Sequence, residues 1–285
     1  MNPPPTVFAG ITTRNRAHIL PKALDSLRQV ARPGLTVTVL DDGSTDGTSL
    51  LAARYPEVRW VRHEKPAGII ESRNELMRST TADYYLCLDD DAWFIVGDEL
   101  QLALDRLEAA PEVAAIAFDI LSPDRPDPQP RGAPQAVAMY IGCGHLLRLS
   151  AAAAAGYYAA APGTYGSEEK DLCLRLADRG GIVERLPGVH VWHDKAWNDR
   201  DNRPLHRSGV ANEMVMTLRR CPLPDLLLVL PGKIASYLWF WLRHPFYLSA
   251  GLAGLGDFLR HLRPTWRSRR PVQRQTFWRF RRTSP

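Results

Sequence analysis

The chain has 285 residues, of which 45% are hydrophobic and 24% are charged, so its composition is that of a globular protein and excludes a disordered or fibrous one. The length allows one large α/β domain with an appendage, or two small domains. The net charge of +5 is unevenly distributed, because residues 258–285 hold nine arginines and no acidic residue, which leaves −4 for residues 1–257.

Strand-like and helix-like segments alternate through the first 120 residues. Short apolar or β-branched runs predict strands at 7–12, 35–40, 58–61, 84–88 and 113–118. Apolar residues at helical spacing predict helices over 20–31, 69–79 and 98–109, and a turn-rich segment at 41–48 opens a further helix toward Arg54. This alternation predicts a mainly parallel sheet with helices on both faces.

The alternation stops at residues 122–134, where five prolines fall in thirteen residues. Such a segment cannot form a helix or a central strand, so we predict a surface loop that is either a substrate flap or a passive linker. Residues 136–148 are strand-like again around Gly142-Cys143-Gly144, and 167–179 predict a helix that ends at Gly180-Gly181.

Three consecutive carboxylates, Asp89, Asp90 and Asp91, follow the predicted strand at 84–88. Like charges at this distance repel, so the cluster requires either open water or a shared cation. In open α/β sheets the carboxyl ends of the strands bind ligands, and hard divalent ions prefer carboxylate and phosphate oxygens. The cluster therefore indicates either a metal–diphosphate site or a solvated acidic turn.

Several motifs, taken in order, resemble those of the inverting nucleotide-sugar glycosyltransferases of family 2, over roughly residues 5–215. The motifs are 11–16 (ITTRNR), 40–48 (LDDGSTDGT), Gly68 with Arg73-Asn74, 88–91 (LDDD), Gly142-Cys143-Gly144, 168–175 (EEKDLCLR), and Pro187 with His193. The resemblance implies the GT-A fold, a Rossmann-like α/β fold whose mainly parallel sheet is flanked by helices, here with a C-terminal helical extension.

The resemblance also implies a set of donor-binding residues. Thr12, Thr13 and Arg14 are expected to line the base and ribose, and Asp42 to accept a hydrogen bond from the nucleobase. Arg73, Asp89 and Asp90 complete the expected nucleotide-sugar site. The alternatives are turn formation and helix capping for Asp41 and Asp42, and a solvated helix charge for Arg73.

Asp90 and Asp91 resemble the D-x-D pair of the family, with Asp91 as the direct ligand of Mg²⁺ or Mn²⁺. The ion would bridge the two phosphates and absorb the charge that grows on the leaving nucleoside diphosphate. His193 occupies the position of a family histidine that completes the metal or diphosphate environment, although it is also compatible with a structural hydrogen-bonding role. His190 is the less favoured candidate, because alternation along a strand would point it away.

Glu169 is the expected catalytic base, at a position where the family motif E-D-x-D-L usually has aspartate. It would accept the proton of the acceptor hydroxyl as the oxygen attacks the anomeric carbon opposite the leaving phosphate, which inverts the configuration. The alternative is that Glu168, Glu169 and Asp171 only favour the amino end of a helix electrostatically.

We therefore expect residues 1–221 to form the catalytic domain and 222–285 an aromatic, arginine-rich helical extension. Within the domain, 1–120 would bind the nucleotide sugar, 122–135 form the proline-rich loop, and 136–221 bind the acceptor. The acceptor is a glycan, a lipid-linked glycan or a small natural product. The rivals are a sugar-1-phosphate nucleotidylyltransferase, which usually has a G-x-G-x-R segment that is missing here, and a catalytically silent binding protein.

Two apolar runs in the extension, 226–230 and 234–242, are separated by Pro231-Gly232-Lys233, and neither reaches the ~20 residues of a membrane span. Their aromatic residues and the arginines that follow suit either a helix on an anionic membrane surface or packed helices with a frayed basic tail. No nucleic-acid-binding motif accompanies the charge, so no nucleic-acid partner is expected. The sequence leaves open whether the protein forms a homodimer.

The expected location is the cytoplasm, or the inner face of the cell membrane as a peripheral protein. The four cysteines are scattered, with no C-x-x-C pair, which fits a reducing compartment. Residues 1–5 also lack the positive charge and apolar core of a signal peptide.

Overall fold

The computed structural model describes residues 4–195 and 201–283, so the first three residues of the N-terminal segment lie outside the described residues. The chain separates into two compact units. The first contains residues up to 157 together with 179–195, and the second contains 158–178 together with the chain from 196 onward. The functional division expected from the sequence, with a boundary after residue 221, concerns binding roles and stays a prediction.

A nine-stranded sheet forms the centre of the first unit, and it is mainly parallel, as the sequence predicts. The strands are β1 (Val7–Thr13), β2 (Leu35–Asp41), β3 (Arg59–Arg62), β4 (Tyr84–Leu88), β5 (Ala92–Phe94), β6 (Val113–Leu121), β7 (Gln135–Val137), β8 (Gly144–Arg148) and β9 (Ile182–His193). Their order is β3-β2-β1-β4-β8-β6-β9-β5, and β7 also pairs with β9. Strands β5, β7 and β8 are antiparallel to their neighbours.

Four α-helices belong to this unit: α1 (Leu20–Gln29), α2 (Ile69–Arg78), α3 (Glu99–Ala109) and α4 (Leu149–Ala155). Helix α1 buries Leu20, Leu24 and Leu27, the residues whose spacing predicts it. The helix expected after residue 48 is a 3₁₀ helix, Gly47–Ala53, and the Asp46 carboxylate caps it by accepting from the Thr48 N–H at 2.8 Å.

Strand β9 carries a bulge that changes which of its side chains share a face. Phe118 pairs with Leu186, but the next residue of β6, Asp119, pairs with His190. Gly188 lies inside the bulge with φ +78°, and a Cβ there would lie 2.5 Å from backbone atoms of Arg131. Its N–H donates to the Asp119 carboxylate at 2.8 Å. The bulge therefore sets the register of the last residues of β9.

Helices form the second unit: α5 (Glu168–Asp178), α6 (Arg203–Arg220), α7 (Leu226–Arg243), α8 (Leu248–Arg267) and α9 (Arg274–Thr283). Sequence periodicity predicts α5. In contrast, the expectation that Pro231 separates two apolar runs is wrong, because α7 continues through it. Val229 and Trp241 are buried on either side of the proline, so packing of both halves holds the helix despite the lost hydrogen bond.

The arginine-rich tail does not fray within the described residues, because α9 packs on α5 within the second unit. Phe277 and Phe280 are buried there, and the Arg274 guanidinium donates to the Asp225 carboxylate at 2.7 and 2.9 Å. Phe277 and Phe280 therefore serve packing. Among the described helices, α7 alone is long and apolar enough to cross a membrane, by length and composition only.

Candidate active site

The loops that follow β1 and β2 are bonded to each other at the carboxyl edge of the sheet. The Asn15 N–H donates to Ser44 Oγ at 2.9 Å, and Asn15 Oδ1 accepts from the Thr45 N–H at 2.7 Å. Asn15 has φ +56°, a conformation that asparagine tolerates better than most residues. Of the expected donor-binding residues on this edge, Thr13 is buried, Thr12 is half-buried and Arg14 is exposed.

The Asp42 carboxylate connects this edge to the segment before α2. It accepts from the N–H groups of Ala67 and Gly68 at 2.7 and 2.9 Å, and from His63 Nδ1 at 2.8 Å. Burial opposes ionisation, but these hydrogen bonds outweigh it and lower the pKa of Asp42. Turn formation falls instead to Asp41, whose carboxylate accepts from the Ser44 N–H at 2.8 Å. Nucleobase binding by Asp42 stays a prediction.

Two of the three consecutive aspartates meet a histidine at the same edge. One ligand atom each from Asp89, Asp91 and His193 lies within 4.8 Å of the others, and His193 Nε2 is 3.1 Å from Asp91 Oδ1. The pairing of Ala92 with His193 between β5 and β9 explains this contact, because it places the end of β9 beside Asp91. Asp91 and His193, the two residues expected to bind the metal, therefore lie next to each other, and their binding of an ion stays a prediction.

Asp90 lies outside this group, although the sequence motif pairs it with Asp91. Its side chain is 13% exposed and its carboxylate is 3.6 Å from Arg16 Nε. Burial and the charge of Asp91 raise the pKa of Asp90 to about 7. The grouping of Asp89 with Asp91 and His193 therefore differs from the expected pairing of Asp90 with Asp91.

Arg73 contacts the group formed by Asp89, Asp91 and His193 through Asp89. Its side chain is 1% exposed, and its Nη2 donates to Asp89 Oδ1 at 2.5 Å and to the Gly142 carbonyl at 3.4 Å. The alternative of a solvated helix charge is therefore wrong. A guanidinium in this position orients Asp89 and compensates part of its charge.

The two histidines of β9 have different partners. His190 Nε2 accepts from the Gln129 N–H at 3.1 Å, so this histidine is hydrogen-bonded to the proline-rich loop. Nδ1 of His193 is buried and has no hydrogen-bond partner within the described part of the chain. Two carboxylates and an imidazole that converge in this way form a donor set that fits a divalent cation.

Glu169 belongs to the second unit, where it is half-buried in the first turn of α5. The acidic residue two positions later has a different role. The Asp171 carboxylate accepts from Arg175 Nε at 2.7 Å and from Arg220 Nε at 2.6 Å. Burial opposes its ionisation, but the two arginines outweigh burial and lower the pKa of Asp171. Asp171 is thus part of a buried ion-pair network, which leaves Glu169 as the candidate base.

The loop before α5 is held by α6, a contribution that the sequence analysis missed. The Asn212 amide accepts from the Gly163 N–H at 2.7 Å and donates to the Gly166 carbonyl at 2.9 Å. The next residue, Glu213, accepts from Ser167 Oγ at 3.0 Å and from Lys170 Nζ at 3.1 Å. The available signal was a polar pair inside the apolar run 210–216.

A sequence model described as Glycosyl transferase family 2 matches residues 9–152, half of the chain. The chain is also 29% identical over 103 residues to an uncharacterized glycosyltransferase of Haemophilus influenzae (strain ATCC 51907 / DSM 11121 / KW20 / Rd). That alignment covers 36% of this chain and 35% of the relative, so the chain spans about a third of the length of this curated protein.

Solved structures share the fold at low sequence identity. The mannosyltransferase PcManGT from Pyrobaculum calidifontis, in complex with GDP-Man and Mn²⁺, superposes with a TM-score of 0.60 at 18% identity, covering 88% of this chain and 74% of that one. Residues 1–349 of S. aureus TarS, in complex with UDP-GlcNAc, superpose with a TM-score of 0.62 at 14% identity, covering 95% and 82%. The chain belongs to glycosyl transferase family 2 and has the GT-A fold.

Proposed function

We propose that this protein is a metal-dependent, inverting glycosyltransferase that moves a sugar from a nucleoside-diphosphate sugar to an acceptor hydroxyl. The observation that carries the proposal is the convergence of Asp89, Asp91 and His193 at the carboxyl edge of a mainly parallel sheet. Membership of the family and the nucleotide-sugar ligands of structurally similar proteins support the same class of donor.

Asp89, Asp91 and His193 would hold the divalent ion, with Arg73 orienting Asp89 from below. A bound ion would neutralise the charge that develops on the leaving diphosphate. The imidazole nitrogen is a softer ligand than the all-oxygen set that Mg²⁺ prefers, so the donor set favours Mn²⁺ over Mg²⁺. The Mn²⁺ bound by PcManGT is consistent with that choice.

The edge formed by the ends of β1 and β2 would bind the nucleoside. Thr12, Thr13 and Arg14 end β1, and Asp42 follows β2, at the position where open α/β sheets bind nucleotides. Because the Asp42 carboxylate already orders the segment 67–68, its proposed contact with the base would use an oxygen lone pair that these bonds leave over.

Glu169 would take the proton of the acceptor hydroxyl as its oxygen attacks the anomeric carbon from the side opposite the leaving phosphate. The C–O bond to the diphosphate breaks as the new glycosidic bond forms, so the configuration inverts. The acceptor would be a glycan, a lipid-linked glycan or a small molecule.

The test replaces Glu169 by Gln, which keeps the shape of the side chain but removes its basicity. We expect transfer to fall by at least about 100-fold while the nucleotide affinity is retained, as for the loss of a general base. The matched control is Glu71→Gln, because Glu71 also lies in the first turn of a helix.

Donor turnover is followed through the release of nucleoside diphosphate, with a panel of donors and Mn²⁺. Equal losses in both variants, or unchanged turnover in Glu169→Gln, would contradict the assignment of the base. Release of pyrophosphate would indicate a nucleotidylyltransferase instead. Nucleotide binding without any donor turnover would indicate a binding protein.

A further inference from the structure

Helix α8 has an exposed apolar stripe along its whole length. Its residues follow one another at intervals of three or four positions, which places them on one side of the helix. Its exposed members are Leu248, Leu252, Leu259, Leu262 and Trp266, and the half-buried Leu255 lies between them. The packed side of the same helix is different: Gly251, Gly254 and Phe258 are buried, and a Cβ at Gly254 would lie 2.5 Å from the Arg207 carbonyl of α6. The exposed residues of the stripe therefore lie outside the packing of α8 on α6.

Helix α7 also has exposed apolar side chains. Leu228 and Leu242 are 79% and 78% exposed, and Leu227, Leu238 and Trp239 are exposed with them. The single charged residue before Arg243 is Lys233, and its ammonium group is bonded to Glu213 of α6. Apart from Ser236, the exposed residues of α7 before Arg243 are therefore apolar or glycine, which is uncommon for a helix that faces water.

Arginines border the apolar stripe of α8. Arg260, Arg263 and Arg267 recur every three or four residues on the adjoining strip, and all three are exposed. Asp257 is the last acidic residue of the chain, and it is already bonded to Arg207 and Arg260. This border consequently carries a net positive charge that complements an anionic surface.

Each of the two helices has an exposed tryptophan close to an arginine. The Arg243 guanidinium lies 4.3 Å from the ring centroid of Trp239, and Trp266 is followed by the exposed Arg267. Trp239 and Trp266 are both more than half exposed. Tryptophan beside arginine next to a leucine stripe is the composition of a helix that lies at the level of lipid headgroups.

We propose that the exposed face of α7 and α8, the leucine face, docks on an anionic membrane surface. The helices lie in the plane of that surface rather than crossing it, because the opposite side of α7 is packed on α6. Trp241 is buried there, and its Nε1–H donates to His206 Nε2 at 2.8 Å. The docking surface is thus distinct from the arginine-rich α9, whose phenylalanines are buried.

The test is flotation of the full-length protein with vesicles of phosphatidylcholine that contain about 30 mol% phosphatidylglycerol, against vesicles of phosphatidylcholine alone. We expect binding to the anionic vesicles only. The apolar variant, Leu228→Ser with Leu242→Ser, should weaken partitioning by roughly 10-fold or more, since two leucines no longer enter the interface. The matched control is Leu50→Ser, because Leu50 is also 78% exposed but lies in the sheet unit.

A charge variant, Arg263→Gln with Arg267→Gln, separates attraction to lipid charge from apolar insertion. It should reduce binding to anionic vesicles at low salt, with Arg59→Gln as the control at an exposed site of the sheet unit. Circular dichroism shows whether each variant keeps its fold.

Absence of flotation, or equal binding of wild type and apolar variant, would overturn the proposal. So would a dimer in light scattering that the apolar variant dissociates, because the face would then join two copies. The readout needs no donor or acceptor, so its failure would leave the proposed transfer reaction untouched.

Discussion

The two units distribute charge and apolar surface in opposite ways. In the sheet unit the strands and helices bury an apolar core, and Asp89 and Asp91 converge with His193 at an edge where a ligand can complete their coordination. In the helical unit the central carboxylates, Asp171 and Glu213, are buried in ion pairs, while leucines of α7 and α8 are exposed. The fold therefore decides the role of an acidic residue. Asp171 and Glu213 each pair with two cationic side chains. Asp89 instead pairs with Arg73 and still lies within reach of Asp91 and His193.

The largest effect on stability should come from Asp171→Asn in the helical unit. Because Arg175 and Arg220 would keep buried charges without their carboxylate, we expect a loss of ~3–5 kcal/mol in the free energy of unfolding. Urea denaturation measures it. The control is Glu57→Gln, whose ion pair with Arg28 is exposed, so it should leave the free energy of unfolding nearly unchanged. Equal losses of unfolding free energy in the two variants would contradict the distinction between buried and exposed ion-paired carboxylates.

The second prediction concerns acid stability and Glu213. Burial opposes ionisation of Glu213, but the charges of Lys170 and Lys233 outweigh it and lower its pKa from 4.5 to about 2. A lowered pKa means that the ionised form stabilises the fold, so this contribution, ~3 kcal/mol, is present above pH 4.5 and is lost as the pH falls toward 2. Unfolding followed from pH 7 to pH 3 should show a shallower decline in Glu213→Gln. A parallel decline would assign acid sensitivity to other groups.

In the sheet unit, Asp91→Ala should abolish the gain in nucleotide affinity that Mn²⁺ provides. We expect the Mn²⁺-dependent gain in affinity to fall by at least about 100-fold, because the loss of a direct ligand should cost no less than the loss of an outer-shell partner. Titration calorimetry with and without Mn²⁺ measures it. Asp98→Ala is the control, since its carboxylate is paired with Arg131 away from the three-residue group. A retained Mn²⁺ effect would remove Asp91 from the site.

The smallest effect is expected for Arg73→Lys. Lysine keeps the positive charge but loses the planar fork that contacts both Asp89 and Gly142, so Mn²⁺ affinity should fall by roughly 10-fold. Saturating Mn²⁺ should restore turnover, which a direct contact with the donor would not allow. Arg78→Lys, on the same helix at an exposed position, serves as the control.

Local sequence determined many elements of the sheet unit. Apolar runs predict strands β1 to β4 and the first part of β6, because these signals depend only on near neighbours. The acidic residues after β4 indicate either a cation site or a solvated turn. The family motifs pointed to Glu169 in the same way. Such local signals do not show which residues that are distant in the sequence lie next to each other in the fold.

Tertiary structure alone decided which of these residues meet. His193 lies next to Asp91 because of the β5–β9 register and the bulge at Gly188. The third member of this group is Asp89 rather than Asp90. Asp171 finds Arg220 49 positions away, which removes it from the acidic group at the start of α5. Packing on α6 likewise keeps α7 helical across Pro231. Each outcome depends on strand register or helix packing, which join residues that are distant in the chain and that local propensity does not relate.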